Sequence, residues 1–244
     1  MKLSELKARL PETETRDYRK DIEELKAANP IKIVVLDDDP TGIQTVHGCK
    51  LYTKWDKETI AEALDAPEGL FYLLLNSRSV DTDEAVERNK DALKIVIDAA
   101  KDKEYRLLFV SRSDSTLRGH FPHEPQTMKE VLKAAGRPLG GPCLFCPALF
   151  EAGRYTYDNT QFVEQEGELI PASETEFAKD GVFGYSSANL FDYIEEKSQG
   201  SIKGDEVASI SLEDIRRLSP REIRRRLKEA SGKAFLVVNA VEYA

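Results

Sequence analysis

Seven short apolar segments, separated by gaps long enough for helices, constrain the fold of this chain most strongly. They lie at residues 31–36, 50–53, 70–76, 106–111, 142–146, 207–211 and 234–239. Most are continuous apolar runs rather than alternating ones, which is typical of parallel strands covered on both faces. Strands that alternate with helices predict the α/β class: a doubly wound, mainly parallel sheet with Rossmann-like layers and helices on both faces.

Helical patterns occupy most of the gaps between these segments. They are predicted at residues 57–65, 83–101, 124–135 and 187–197, with a further charged helix at 14–28. The clearest start is at Ser219, where Pro220 and Glu222 complete a capping box. Residues 153–185 have the least regular pattern and are expected to be a lid or an excursion. We therefore predict a helical extension at 1–29 and one α/β domain over 30–244.

Composition and charge restrict the partners of the chain. The net charge of −9 over 244 residues argues against a nucleic-acid partner. Arginines and a lysine cluster within 216–228, and we interpret them as the solvated face of a helix. No apolar run approaches the roughly 20 residues that span a bilayer, and the charged N-terminus lacks the apolar core of a secretory signal. These features predict a cytoplasmic protein without a membrane partner.

Cysteine and histidine give no metal or redox prediction. Cys143 and Cys146 form a C-x-x-C inside an apolar run that is expected to be a buried strand and its end, so we interpret them as structural. His120 and His123 flank Pro122, which argues against a helical metal-binding pair. These histidines are expected in a loop or in contact with the substrate.

Polar loops follow four of the predicted strands. They are Asp37-Asp38-Asp39-Pro40-Thr41-Gly42, the loop 76–79, the loop 111–119, and residues 147–156 with Glu151, Gly153, Arg154 and Thr156. In an open α/β sheet, ligands bind at the carboxyl ends of the strands. Acids, arginines and hydroxyl groups at all four ends predict one shared pocket for a small polyhydroxylated anion.

The residue types suggest roles within that pocket. A guanidinium group can hold a carboxylate through two parallel hydrogen bonds, and the candidates are Arg78, Arg112, Arg118 and Arg154. Asp39 and Asp114 can accept hydrogen bonds from sugar hydroxyls, and one of them is the candidate base for an attacking hydroxyl. The alternative is that Asp37, Asp38 and Asp114 only cap turns and helices.

Several motifs resemble one known family. LDDDPTGIQTVHG, NSRS, SRSDSTLRGH, PALFEAGRYT and TEFAKD occur in this order, over about residues 30–244, in the four-carbon acid sugar kinases. That family phosphorylates sugar acids such as threonate, erythronate or 3-oxo-tetronate, with an N-terminal sugar-acid domain and a C-terminal domain that binds ATP. The resemblance implies that Asp39, Arg78 and the segment from Arg112 to Ser115 contact the substrate. Together with the residue types above, it gives a predicted substrate-binding set of Asp38, Asp39, Arg78, Arg112, Ser113, Asp114, Ser115, Arg118 and Arg154, with Asp39 and Asp114 as catalytic candidates.

The resemblance also implies ATP and Mg²⁺ for the complete enzyme. The sequence contains neither G-x-x-x-x-G-K-[ST] nor a G-x-G-x-x-G after a strand, so both are expected to bind mainly in a separate nucleotide-binding domain. Because the chain stops just after an apolar strand, we expect that domain to be missing here or separately encoded. A homodimer is a further possibility. The isolated 244 residues are expected to be inactive as a kinase.

Departures from the family pattern leave the substrate open. Arg112 and Ser113 stand where the family often has lysine and an apolar residue, and Ile43–His47 replaces a stretch that commonly contains small residues and Asp. Two other functions also remain. Asp37-x-Asp39-x-Thr41 matches the nucleophile loop of haloacid-dehalogenase-like phosphatases, and the chain is also compatible with a non-catalytic sugar-acid-binding module.

Overall fold

The structure is a computed structural model that describes residues 1–12 and 17–243, and over these residues it has ten strands and eight α-helices. The strands are β1 Ile31–Asp37, β2 Lys50–Tyr52, β3 Leu70–Leu74, β4 Arg106–Arg112, β5 Cys143–Phe145, β6 Arg154–Tyr157, β7 Thr160–Gln165, β8 Glu168–Pro171, β9 Val207–Ile210 and β10 Phe235–Val238. The helices are α1 Leu3–Arg9, α2 Arg19–Ala28, α3 Lys57–Asp65, α4 Thr82–Ala99, α5 His123–Ala134, α6 Leu190–Lys197, α7 Leu212–Arg217 and α8 Pro220–Glu229.

The chain divides into two compact units. Unit 1 comprises Met1–Thr15, Asp114–Pro122 and Leu139–Ala244, and unit 2 comprises Arg16–Ser113 and His123–Pro138. All seven predicted strands are present, and they belong to two separate parallel sheets. The predicted α/β class with mainly parallel strands is confirmed. The predicted domain boundary at residue 29 stays a prediction.

Unit 2 contains a four-stranded parallel sheet in the order β2-β3-β1-β4. Its central strand, β1, is the run IKIVVLD, whose β-branched and aliphatic side chains suit a strand covered by other elements. Asp37 at the end of β1 is in register with Leu74 of β3 and with Arg112 of β4. The sheet therefore brings the polar loops after β1, β3 and β4 to the same edge.

Helices α3, α4 and α5 pack with this sheet around the core of unit 2. Apolar side chains of β1 and β3, such as Val34 and Leu73, share this core with Leu93 of α4 and Met128 of α5. The helices begin where the sequence provides caps: the Asp56 carboxylate accepts from the amide of Thr59, and Asp81 caps α4 in the same way. Side-chain caps thus fix the N-termini of α3 and α4, two of the three helices around this core.

Unit 1 contains two three-stranded sheets. One is parallel, in the order β5-β10-β9, and the other is an antiparallel meander, β6-β7-β8. The meander corrects the expectation that residues 153–185 are irregular. Its two turns place Asp158-Asn159 and Glu166-Gly167 at positive φ, as tight two-residue hairpins require. In the sequence, these two dipeptides were the features that indicated the hairpins.

Three helices near the ends of the chain, α1, α2 and α8, can be compared with the local predictions. Leu6 of α1 is buried against Tyr155 and Leu169. The capping box at Ser219 is confirmed, because the Ser219 hydroxyl and the Glu222 carboxylate each accept from the other residue's amide. Helix α2 in unit 2 begins at Arg19 and has no buried side chain; the start of the helix predicted at 14–28 lies outside the described residues.

Three smaller predictions have mixed outcomes. Cys143 is half-buried in β5, but Cys146 is exposed, which contradicts its prediction as part of a buried strand end. His120 is buried and its ring meets the Phe183 ring edge-on at 5.0 Å, whereas His123 is exposed. Within the described chain, no helix is long and apolar enough to cross a membrane.

Candidate functional site

The carboxyl edge of the unit 2 sheet carries a compact group of charged side chains. We call it the acid–arginine cluster, and its members are Asp37, Asp38, Asp39, Arg78, Arg112 and Ser113. They come from the ends of β1 and β4 and from the 3₁₀ turn Ser77–Ser79 that follows β3. The pairing of parallel strands β1 and β4 accounts for this meeting, since it aligns their last residues.

Asp38 is the centre of the cluster and is buried. Arg78 donates to it through Nε at 2.9 Å and Nη2 at 2.7 Å, a bidentate pair. Arg112 Nη1 donates at 3.3 Å, and the Ser113 hydroxyl donates at 2.9 Å. Because one buried carboxylate receives two guanidinium groups and a hydroxyl, Asp38 organises the side chains around it rather than capping a turn.

Asp39 faces outward from the same loop and keeps about a quarter of its side chain exposed. Burial raises its pKa, but hydrogen bonds from the hydroxyl and amide of Thr41 outweigh this effect and hold the pKa below its usual value. Arg78 Nη1 lies 3.7 Å from its Oδ2. Asp39 is therefore an ionised, accessible acceptor suited to a ligand hydroxyl.

Asp37 is the most secluded of the three acids, with 1% of its surface exposed. Neither of its carboxylate oxygens meets a hydrogen-bond partner among the described residues, and Arg112 Nη1 approaches Oδ1 only to 3.6 Å. Burial raises the pKa of Asp37 to about 6, against the opposing charge of Arg112. A buried carboxylate in this position is a poor candidate for the exposed nucleophile of a phosphatase.

Gly42 explains how the loop fits over Asp37. A Cβ atom at Gly42 would lie 2.1 Å from each carboxylate oxygen of Asp37, far inside van der Waals contact. The glycine is required by close approach, because the loop backbone lies directly against the acid.

We expect Gly42→Ala to destabilise unit 2 by about 1–3 kcal/mol, because overpacking in a closed site displaces its neighbours. Urea unfolding measures this change. Gly48→Ala is not an adequate control, because its φ is positive, whereas Gly69 has nothing within 4 Å of an added Cβ. Gly69→Ala should therefore stay near the wild type, and an equal effect at both glycines would contradict the steric explanation.

A buried polar group beside the cluster was missed by the sequence analysis. Glu124 Oε1 accepts from the Ser77 hydroxyl at 2.5 Å and from Asn89 Nδ2 at 3.2 Å. All three side chains are buried, and burial raises the pKa of Glu124 to about 7. An acid in the first turn of α5 is common for electrostatic reasons alone, so the sequence offered no specific signal.

Unit 1 holds the other predicted site residues. Arg118 Nε donates to Asp114 Oδ2 at 2.6 Å, and its Nη1 lies 4.0 Å from Asp180. The guanidinium carbons of Arg118 and Arg154 lie 4.9 and 5.4 Å from the centre of the Phe177 ring. We call Asp114, Arg118, Arg154 and Phe177 the Phe177 cluster. Phe177 and Asp180 lie in the TEFAKD segment that contributed to the resemblance.

Arg154 differs from the other three predicted arginines. Arg78 and Arg112 form ion pairs with Asp38, and Arg118 with Asp114, but the described residues provide no ion pair for Arg154. Its Nη1 donates to the Ala152 carbonyl, and its buried Nε has no hydrogen-bond partner in that same part of the chain. Burial lowers its pKa. Arg154 thus presents a partly buried cation that makes no ion pair with the described residues, although the negative charge of Asp114 acts on it.

Asp114 and Ser115 have unequal roles. Burial raises the pKa of Asp114, but hydrogen bonds from Thr116 and Arg118 outweigh it and leave the pKa below its usual value. Ser115 contributes its backbone carbonyl, which accepts from Gln161 Nε2 at 2.7 Å. The structure therefore groups the predicted residues into two clusters, one in each unit. The convergence of all four loops on one pocket stays a prediction.

The fold and these clusters define a class of protein: an α/β binding domain with charged residues at the carboxyl edge of a parallel sheet, where such folds hold small polar ligands. The family model described as "Sugar-binding N-terminal domain" matches residues 33–244. The chain belongs to that family, and the resemblance to the N-terminal domain of four-carbon acid sugar kinases is confirmed. Among curated proteins, no significant match is found.

Solved structures share the fold at low sequence identity. A Haemophilus influenzae protein of the DUF1537 family superposes with a TM-score of 0.62 at 18% identity, over 86% of this chain and 48% of that one. A Bordetella bronchiseptica DUF1537 protein, described as a domain-swapped dimer with bound citrate, gives 0.62 at 19% over 86% and 48%. A Salmonella typhimurium LT2 protein described as a putative tRNA synthase gives 0.59 at 17% over 87% and 48%. This chain spans about half the length of these structures.

Proposed function

We propose that this chain is the substrate-binding domain of an ATP-dependent kinase that phosphorylates a hydroxyl group of a four-carbon sugar acid. Membership of a sugar-binding N-terminal domain family supports the sugar ligand. The motifs shared with four-carbon acid sugar kinases support the acid and the phosphoryl transfer. Since the solved relatives are about twice as long, the donor nucleotide has room to bind outside these 244 residues.

The observation that carries the proposal is the unpaired cation at Arg154. An anionic ligand binds most favourably to a guanidinium group that forms no ion pair within the protein. At a paired arginine the ligand would first have to displace the protein's own carboxylate, and breaking a buried ion pair is costly. Arg78 already makes a bidentate pair with Asp38, so an anionic ligand would have to compete with that carboxylate. In unit 1 we therefore assign the substrate carboxylate to Arg154, with the Phe177 ring supporting its guanidinium plane.

In unit 2, Asp39 has the chemistry of an acceptor for a ligand hydroxyl. It is ionised at neutral pH and partly exposed, so it can accept a hydrogen bond and orient the hydroxyl toward a phosphoryl donor. Asp114 is ionised as well, but Thr116 and Arg118 occupy one of its oxygens. Thr41 likewise occupies one oxygen of Asp39, so Asp39 and Asp114 both stay candidates for orienting the attacking hydroxyl, and Asp39 is the more exposed of the two.

ATP and Mg²⁺ belong to the proposal as ligands of the longer protein. Within the described residues, no group of three or more His, Cys, Asp or Glu side chains is arranged to hold a metal ion. Phosphoryl transfer depends mainly on positioning and on charge stabilisation. This domain would contribute positioning, and the metal–nucleotide complex would be held mainly elsewhere. The proposal includes a cytoplasmic location, where ATP is abundant.

We expect Arg154→Ala to abolish the thermal stabilisation that a bound sugar acid produces. The measurement is a thermal-shift screen of the wild type with threonate, erythronate and other tetronates, since a ligand well above its Kd raises Tm by mass action. Arg225→Ala, an exposed arginine of α8, is the matched control and should respond like the wild type. An undiminished shift in Arg154→Ala would remove Arg154 from the proposal. No shift with any tetronate would contradict the substrate class.

We also propose that the protein forms a homodimer, as the Bordetella relative is described to do. Sedimentation or light scattering at several protein concentrations measures this directly. A mass near 27.5 kDa at all of them would contradict it.

A further inference from the structure

Two facing helices of unit 2 each place a buried amide or carboxyl side chain in a mostly apolar stripe. On α4, Asn89 lies in line with the buried residues Ala85, Ala92 and Val96. On α5, Glu124 lies in line with the buried residues Thr127, Met128 and Leu132. A buried polar group reduces stability unless it forms hydrogen bonds. Polar side chains inside a core are therefore uncommon, and they concentrate where the protein needs a fixed geometry.

The hydrogen bonds of this pair lead to the acid–arginine cluster. Asn89 Nδ2 donates to the Ala85 carbonyl at 3.0 Å and to Glu124 Oε1, so both of its amide protons are engaged. Ser77 uses its single hydroxyl proton on the same Glu124 oxygen. The residue after Ser77 is Arg78, whose guanidinium group makes the bidentate pair with Asp38.

The backbone between these contacts is under local constraint. Asn76, directly before Ser77, has a φ of 49°, in the left-handed region that few residues adopt. The amide of Arg78 donates to the Asp38 carbonyl at 3.1 Å. Ser77 is therefore the point at which helix α5 fixes a tight, strained turn whose next side chain enters the cluster.

We infer that Glu124 is a positioning residue: by holding Ser77 it sets the direction of Arg78 toward Asp38, and its proton controls how tightly that arrangement holds. This inference rests on the proposed function only for what the arrangement binds. No part of the ligand is assigned to Glu124 itself. It acts through Ser77 and Arg78.

The charged groups that face Glu124 give the direction of the effect. Asp38 from the end of β1 opposes its ionisation, and Arg78 from the 3₁₀ turn favours it, while α4 contributes the neutral Asn89. When Glu124 is protonated, Arg78 has Asp38 as its principal acid. When Glu124 ionises, a second carboxylate competes for Arg78, and the cluster gains a negative charge. The affinity of the acid–arginine cluster for an anionic ligand should therefore fall as the pH rises through neutrality.

Nitrogen-15 NMR of the Arg78 Nε–H group tests the positioning without any ligand. Arg78→Lys identifies the signal by its disappearance. Between about pH 5 and 9 the wild-type signal should shift with one inflection near 7, from Glu124, and another near 6, from Asp37. Glu124→Gln keeps the side-chain shape and an acceptor for Ser77, and it should lose only the inflection near 7.

Glu130→Gln is the matched control, because Glu130 lies on the same helix and is exposed. It should reproduce the wild-type curve. An inflection near 7 that persists in Glu124→Gln, or that is absent from the wild type, would overturn the inference.

Binding provides the second measurement. By isothermal titration at about pH 6 and pH 8, the wild type should bind its tetronate about fivefold more weakly at the higher pH, a change of about 1 kcal/mol. Glu124→Gln should reduce that ratio toward one. An equal ratio in both proteins would count against the inference. If no tetronate binds the wild type, the proposed function fails, and the NMR titration still decides the role of Glu124.

Discussion

Asp38→Ala is expected to destabilise unit 2 by about 3–5 kcal/mol, the range for removing one partner of a buried ion pair. Asp38 receives hydrogen bonds from Arg78, Arg112 and Ser113. Its loss leaves two partly buried guanidinium groups near each other with less compensating charge. Urea unfolding followed by circular dichroism measures the change at neutral pH.

Two further variants make this result specific. Asp38→Asn keeps the volume and two polar atoms but removes the charge, so it should recover only part of the loss. Asp39→Asn is the matched control, since Asp39 is more exposed and its main partner is Thr41. We expect a cost of about 1 kcal/mol or less there. Equal stability of Asp38→Ala and Asp39→Asn would show that Asp38 does not organise the cluster.

Glu124→Gln is expected to become more stable, relative to the wild type, as the pH rises. The pKa of Glu124 is about 7 in the folded protein and near the usual value of 4.5 in the unfolded chain. When folding raises the pKa of an acid, the acid contributes fully to protein stability at pH values below its pKa in the unfolded chain. This contribution is lost as the pH rises through its pKa in the folded protein. The glutamine side chain does not ionise, so the variant avoids this loss of stability as the pH rises.

The size of the effect follows from the difference between the two pKa values. It amounts to at most about 3–4 kcal/mol between pH 4 and pH 9, since one pKa unit corresponds to about 1.4 kcal/mol. Subtracting the two unfolding curves cancels the contribution of Asp37, which titrates near 6 in both proteins. Glu130→Gln should show no such trend. A stability difference that is constant with pH would contradict the burial of an ionisable Glu124.

The residues of unit 2 connect these two predictions. Asp38 satisfies the arginines, Gly42 lets the loop close over Asp37, and Glu124 holds the turn before Arg78. Asp38 and Gly42 stabilise this fixed arrangement of charged groups, whereas Glu124 lowers the stability once it ionises. Such arrangements are typical of binding sites, where geometry matters more than the stability of the isolated domain.

The sequence predicted the strands of both parallel sheets because their signal is local. In an α/β chain, an apolar run such as IKIVVLD most commonly forms a buried strand. Caps such as Asp81 and Ser219 mark helix starts through contacts within one turn. The antiparallel meander was missed because its strands are short and mix polar with apolar residues. Only its two turn dipeptides carried a signal.

By itself, then, the sequence determined the α/β class, the family, and the residue types that gather at the strand ends. The tertiary structure decided the division of the parallel strands into two sheets, the pairing of Arg78 with Asp38, the unpartnered Nε of Arg154 and the place of Glu124. The reason is physical: propensity and capping act over a few residues, whereas ion pairing and burial depend on which distant residues meet. Glu124 and Ser77 are separated by 47 positions, so no local pattern could join them.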